Sequence, residues 1–174
     1  MYKRLLTFLR CPECRGTLSL EPLGTRPSGA DIDGEIEKGL LHCTQDHWYP
    51  VVRGIPRMLP DSLDEHWSDL EADLPSSASD AVQAMMKQRG RTAHYDKPTR
   101  QNFSFEWDQY KVGDKTWGMD LDHRVKTFFL EATRIPPSQL DGMVMLDAGC
   151  GNGSQSVAYT EYGVEVIAVD LSSG

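Results

Sequence analysis

The stretch that most limits what this chain can fold into lies near its end: Met143-Val144-Met145-Leu146-Asp147-Ala148-Gly149-Cys150-Gly151-Asn152-Gly153. A short apolar strand runs into an aspartate and then into glycines at alternate positions, and Ser154 opens a helix. Where a strand turns sharply into a helix, the backbone must visit positive φ and leave room for a ligand, which glycine does at the least steric cost. Free N–H groups at the start of the Ser154 helix would favour an anionic group there. Gly149, Gly151 and Gly153 are spaced G-x-G-x-G, whereas the dinucleotide fingerprint would need glycine where Ser154 stands, so NAD and FAD are disfavoured. No Gly-Lys-Ser/Thr follows, which removes the phosphate loop of nucleoside triphosphatases.

Downstream, Ser154 to Tyr162 reads as one helix with Gly163 as its C-terminal glycine, and Val164 to Val169 reads as a buried strand ending in Asp170. This is a β-α-β unit, with an acid at the tip of its second strand where a ribose diol could be held. Asp147-Ala148-Gly149-Cys150-Gly151-Asn152-Gly153, followed by Val169-Asp170-Leu171-Ser172, resembles motifs I and II of the class I S-adenosylmethionine-dependent methyltransferases. The resemblance implies that Gly149, Gly151 and Gly153 wrap the methionine end of S-adenosyl-L-methionine. It further implies that Asp170 holds the ribose hydroxyls and that Asp147 shapes the loop or contacts the cofactor's amino group. Cys150 is read as a small packing residue rather than a nucleophile.

The chain has 174 residues, enough for one large or two small domains, with 39% apolar and 25% charged residues. A net charge of -8 disfavours non-specific association with nucleic acid. The apolar run Leu5 to Leu9 is too short for a signal segment, and no stretch is apolar enough to span a bilayer, so a cytoplasmic protein is expected. In that reducing compartment four cysteines point to a metal or to free thiols rather than to disulfides.

At the N-terminus, Cys11-Pro12-Glu13-Cys14 followed by Gly16 has the form of a zinc knuckle, in which a tight turn aims two thiolates at one tetrahedral ion. Thr17 to Leu20 alternates as a strand, the Gly-, Pro- and acid-rich stretch 21–38 reads as a mobile loop, and Gly39 to Cys43 reads as a second strand returning a third cysteine. The fourth ligand is Asp46, by ribbon spacing, or its neighbour His47, the better zinc donor by chemistry. With Cys-Pro-x-Cys and Cys43, the pattern Tyr49-Pro50 followed by Gly54-Ile55-Pro56 and Leu59 resembles the small zinc-ribbon-like activator subunit of tRNA and translation-factor methyltransferases. The resemblance implies a protein partner for this domain, and the departure from four cysteines bears on the metal rather than on the fold. The alternative for Cys11, Cys14 and Cys43 is reduced core packing.

Between these ends, positions 61 to 80 carry seven acids and no Lys or Arg. Ser62-Leu63-Asp64-Glu65 reads as a capping box, and Leu63, Trp67, Leu70 and Leu74 fall on one face of an amphipathic helix packed on a neighbouring domain. The acidic side is read as a solvated face, with a patch for a basic partner as the functional alternative. A second helix is expected from Asp80 to Gln88, with Ala81, Ala84 and Met85 inward. Phe103 and Trp107 lie four apart, on one helical face. They are read chiefly as core, although relatives with the same ribbon-like start suggest a cap over the cofactor or acceptor site. Val125, Phe128, Phe129 and Ala132 form a helical stripe capped by Asp120 or Asp122 and stopped by Pro136-Pro137.

The fold class expected is α/β: a ribbon-like β domain over 1–60, a helical connecting region over 61–138, and over 139–174 the first β-α-β part of a Rossmann-like sheet. A strand as apolar as Val144 to Leu146 belongs at a sheet centre. With one partner it would leave a bare apolar edge, so the chain is read as a piece of a longer product whose last third folds poorly alone. The favoured function is methyl transfer from S-adenosyl-L-methionine to an acceptor that the sequence does not identify. The competing one is a non-enzymatic adaptor or activator that binds a partner methyltransferase.

Overall fold

The structure, a computed structural model, describes residues 1–23, 35–60, 62–74, 80, 82–83, 97–111 and 114–172. The chain divides into two compact units, Met1–Tyr95 and Asp96–Gly174. Among the described residues, no helix is long and apolar enough to cross a membrane.

The first unit is a four-stranded antiparallel sheet: β1 (Ser19–Pro22), β2 (Gly39–His42), β3 (Trp48–Val52) and β4 (Ile55–Pro56), paired in sequence order. Leu41 faces Tyr49 and Leu40 faces Pro50 across the central pair. Because side chains alternate across a strand, Leu41, Tyr49 and Val51 lie on one face and Leu40 and Val52 on the other, and all are buried. Pro50, a residue that usually breaks a central strand, is placed where its missing N–H costs nothing. Its carbonyl accepts from Arg57 N–H at 2.8 Å, so its backbone polar side faces away from β2, beyond the two-residue pairing of β4.

One face of the sheet packs on the N-terminal segment, where Met1, Cys11, Leu18 and Cys43 join Leu41, Tyr49 and Val51. The other packs Leu23, Leu40 and Val52 against Leu63, Leu70 and Val82, with Trp67 and Leu74 at the margin. The face-sharing set Leu63, Trp67, Leu70 and Leu74 is thus spent on the ribbon sheet itself. It is not one helix: α1 (Ser62–Glu65) and α2 (Trp67–Leu70) are separated at His66 and followed by a 3₁₀ turn, Glu71–Asp73. Ser62 is inside α1 and buried, and its Oγ accepts from Leu59 N–H at 3.1 Å, so the hydroxyl ties the helix back to the incoming chain. Replacing Leu70, wholly buried, with Ala should cost about 2–5 kcal/mol. Denaturant melts would check this, and a loss below about 1 kcal/mol would mean that this face is not core.

Of the acidic stretch, Lys38 Nζ reaches Asp73 Oδ2 at 2.7 Å, an exposed pair of small energetic weight. Most of the segment read as a loop, 24–34, and Ala81, Ala84 and Met85 of the second expected helix lie outside the described residues; Val82 is buried.

The second unit has α3 (Lys97–Asp108), α4 (Leu121–Val125), β5 (Val144–Ala148), α5 (Ser154–Thr160) and β6 (Glu165–Val169). Asp120 caps α4, accepting from His123 N–H at 2.8 Å. The stripe predicted beyond it is half right: Val125 and Phe129 are buried with Leu140, Tyr159 and Val164, but Phe128 is exposed and so is Ala132. The reason is a π-helical turn over Lys126–Glu131, whose i→i+5 bonding widens the turn and shifts the register of the inward face. Phe128 instead meets the edge of Trp117. Arg124, on the same helix, is buried with its Nε lacking a hydrogen-bond partner.

β5 and β6 pair in parallel, Val144 with Glu165 through Ala148 with Val169, joined through α5. These two strands are the whole of the second sheet among the described residues. Met145 and Val166 pack toward the Phe129–Tyr159 core, whereas Val144 is 44% and Leu146 63% exposed. The burial on both faces that suits so apolar a strand is therefore not met.

Candidate metal centre and the glycine loop

Two turns bring the N-terminal site together. In the first, Cys11 N–H bonds Gly16 O and Arg15 N–H bonds Cys11 O, which curls Cys11 to Gly16 so that Cys14 N–H points at Cys11 Sγ, 3.5 Å away. Gly16 leaves room for the sulfur, since a Cβ there would come 3.2 Å from Cys14 Sγ and press on it. In the second, Asp46 N–H bonds Cys43 O, and Gln45 N–H points at Cys43 Sγ at 3.4 Å. Asp46 takes φ +56 and is exposed; this left-handed step returns the chain so that His47, not Asp46, faces the cysteines.

The donor atoms of Cys11, Cys14, Cys43 and His47 all lie within 4.8 Å of one another. Cys14 Sγ is 3.6 Å from Cys43 Sγ, and His47 Nδ1 is 3.4 Å from both Cys11 Sγ and Cys43 Sγ. A tetrahedral zinc with bonds of about 2.3 Å to sulfur and about 2.0 Å to nitrogen sets donor–donor edges of about 3.5–3.8 Å, and three thiolates with an imidazole are a usual zinc set. The residues therefore fit the ion.

Their protonation chemistry agrees. Burial pushes the Cys11 thiol up, but hydrogen bonds from Tyr49 and from the N–H groups of the knuckle outweigh it and bring the thiol from 9.0 down to about 6. At Cys14 the N–H of Gly16 favours the thiolate, yet burial and the neighbouring Cys11 and Cys43 thiols push the group up. A thiolate at Cys11 is thus favoured at neutral pH, and a bound zinc would displace the proton that its neighbours keep on Cys14. All four cysteines of the chain are free of disulfides.

In the second unit, Gly149, Gly151 and Gly153 take φ of +87, +58 and +75 between β5 and α5, as the alternate glycines predict. The loop is tied down by its own polar groups. Gly149 and Cys150 N–H both bond Val169 O, and Gly153 N–H bonds Cys150 O. Asn152 Oδ1 accepts from Ser154 N–H and Oγ, at 3.1 and 2.8 Å. Asp170 accepts from Gly151 N–H through one oxygen and from Ser172 N–H through the other, both at 2.7 Å. Asp147 accepts from Ser156 Oγ at 2.6 Å. The N–H groups of Gly149, Cys150, Gly151 and Gly153 thus have acceptors in the loop or at the end of β6, and at the start of the Ser154 helix, where free N–H groups are expected, Ser154 N–H is taken by Asn152. Trp107 of α3 lies over the middle glycine, where a Cβ would come 2.5–2.8 Å from three indole carbons. Asn152 Nδ2 donates to Tyr110 O at 3.3 Å. Phe103 and Phe105, on the same helix, are exposed rather than core.

Burial, then the carboxylates of Asp170 and Asp147, push the Cys150 thiol up to about 11, so it is neutral and unreactive near pH 7. Burial would also raise Asp170, but its hydrogen bonds from Ser172, Gly151 and Leu171 prevail and hold the carboxyl below its ordinary 3.8. A carboxylate depressed by folding contributes stability that is present above that ordinary value and lost as pH falls below it. Protection of the Gly151 and Ser172 amides, measured against their intrinsic exchange rates, should therefore fall below about pH 4, and Asp170→Asn should remove that dependence. Equal pH profiles in both proteins would contradict the bonding.

No curated protein matches the chain. A family model described as Trm112p-like protein matches residues 3–54, a span that contains β1, β2, β3 and all four clustered ligands. The N-terminal part of this α/β chain is a Trm112p-like zinc-ribbon domain carrying a Cys/His cluster.

Proposed function

We propose that the ribbon domain is an adaptor that binds a methyltransferase catalytic subunit and supports its activity. The observation that carries this is the Trm112p-like match over residues 3–54, on a sheet whose Cys/His cluster fits an ion. The resemblance to activator subunits carried by Cys-Pro-x-Cys and by Tyr49-Pro50 with Gly54-Ile55-Pro56 supports it. In this reading zinc is structural: Cys11, Cys14, Cys43 and His47 hold it, and its binding energy is spent on keeping the sheet in the shape a partner recognises. A methyltransferase catalytic subunit of the kind such activators serve, given S-adenosyl-L-methionine and its own substrate, should turn over faster when the metal-loaded chain is added. Unchanged rates with a loaded, folded chain would sink the proposal.

A second reading rests on a different observation: three left-handed glycines between parallel β5 and β6, with Asp170 at the tip of β6. We infer that this β-α-β unit belongs to a Rossmann-like, S-adenosyl-L-methionine-binding sheet of a methyltransferase. Gly149, Gly151 and Gly153 would face the methionine end, Asp170 the ribose, and Asp147 the loop or the amino group. The cofactor supplies an activated methyl, and the chain's part is to align it and to exclude water. Calorimetric titration of the chain with S-adenosyl-L-methionine, with Asp170→Ala as control, separates the readings. Heat that disappears in the variant supports the second, and no heat leaves the adaptor.

A further inference from the structure

We propose that Glu13 and Tyr49 are positioning residues of the metal centre, through a circuit of polar contacts that fixes His47 as an Nδ1 ligand. This rests on the metal-centre reading above. His47 presents Nδ1 to the sulfurs of Cys11 and Cys43, while its other nitrogen, Nε2, lies 3.4 Å from Glu13 Oε2. The second carboxylate oxygen, Oε1, is 3.2 Å from Tyr49 OH, and the same hydroxyl is 3.2 Å from Cys11 Sγ, so its single proton is shared between the carboxylate and the thiolate. The circuit therefore runs from one ligand, Cys11, through Tyr49 and Glu13, to another, His47.

Each link has a chemical reason. An imidazole that binds a metal through Nδ1 must carry its proton on Nε2, and a carboxylate on that proton fixes the tautomer, holds the ring in plane and makes the ligating nitrogen more basic. Tyr49 is 1% exposed and stands on β3, paired with Leu41, so its hydroxyl is set by the sheet. Glu13 lies between the two cysteines of the Cys11-Pro12-Glu13-Cys14 turn, so the loop that supplies two sulfurs also supplies the group that orients the nitrogen ligand. A cysteine in place of His47 would have no second polar atom to anchor, which gives Glu13 a purpose specific to a three-cysteine, one-histidine set.

The test uses the full chain, loaded with zinc or with cobalt(II). Glu13→Ala should lower zinc affinity about 10–100-fold in chelator competition, with Glu13→Gln, which keeps an acceptor, losing less. Tyr49→Phe should show a smaller loss in the same direction. Long-range proton–nitrogen spectra of His47 should show Nδ1 bound to zinc and a slowly exchanging Nε2 proton, which becomes fast in Glu13→Ala. The cobalt spectra of the variants should remain tetrahedral, showing a folded site. Unchanged affinity in Glu13→Ala, or ligation through Nε2, overturns the circuit and leaves the metal centre standing. A wild-type chain that takes up neither ion overturns both.

Discussion

With zinc loaded on the Cys/His cluster, chelation at neutral pH should unfold the N-terminal unit and leave hydrogen exchange in β5, α5 and β6 as it was. Apparent zinc-binding energies in small structural sites are on the order of 10 kcal/mol or more, comparable with the whole stability of a domain. Here the donors are part of the core rather than an appendage: Cys11 and Cys43 are buried beside Leu18, Leu41, Tyr49 and Val51. Without the ion, three sulfurs and an imidazole crowd one point with nothing to bind them together. The sheet's second face, covered by α1 and α2, softens the loss without replacing the staple. Hydrogen exchange should show protection at Leu41 and Val51 falling by orders of magnitude on chelation, while Met145 and Val166 are unchanged. Cys43→Ser should behave like the chelated protein. Full protection of β2 and β3 after chelation would reduce the cluster to ordinary packing.

The second large effect is expected at Gly151. Alanine there must hold φ +58, at a cost of about 1–2 kcal/mol, and its Cβ meets the Trp107 indole at 2.5–2.8 Å, adding about 1–3 kcal/mol of overpacking. Gly149→Ala, at φ +87 with no atom within 4 Å of the new Cβ, should cost only the backbone part. In a Trp107→Ala background the Gly151→Ala cost should fall to that of Gly149→Ala, the difference being the coupling between indole and loop. Equal costs at the two glycines in the wild-type background would mean that Trp107 is not seated on the loop.

What could be read in advance follows from how local each signal is. The Cys11–Cys14 turn, the strands around Cys43, the left-handed glycines and the Asp120 cap are each set within a few residues, and each is found. Asp46 and His47 are neighbours, so spacing could not choose between them; the choice lies in one positive φ at Asp46. Glu13 and Tyr49 are 36 residues apart and meet only because the Cys11–Gly16 turn packs against β3, which no local pattern encodes. The π-turn that exposes Phe128 is invisible to a 3.6-residue period, and the Ser62 hydroxyl was claimed by Leu59 rather than by its own helix. The face of Leu63 and Leu70 was legible as apolar, but not that it would complete the ribbon's own core.

Binding of a methyltransferase catalytic subunit to metal-loaded and metal-stripped chain, followed by sedimentation at equal concentrations, tests the central claim most directly. A one-to-one complex is expected with the loaded chain, lost after chelation and restored by zinc. A complex that forms equally well without the ion, or a loaded and folded chain that binds no such subunit, would contradict that claim.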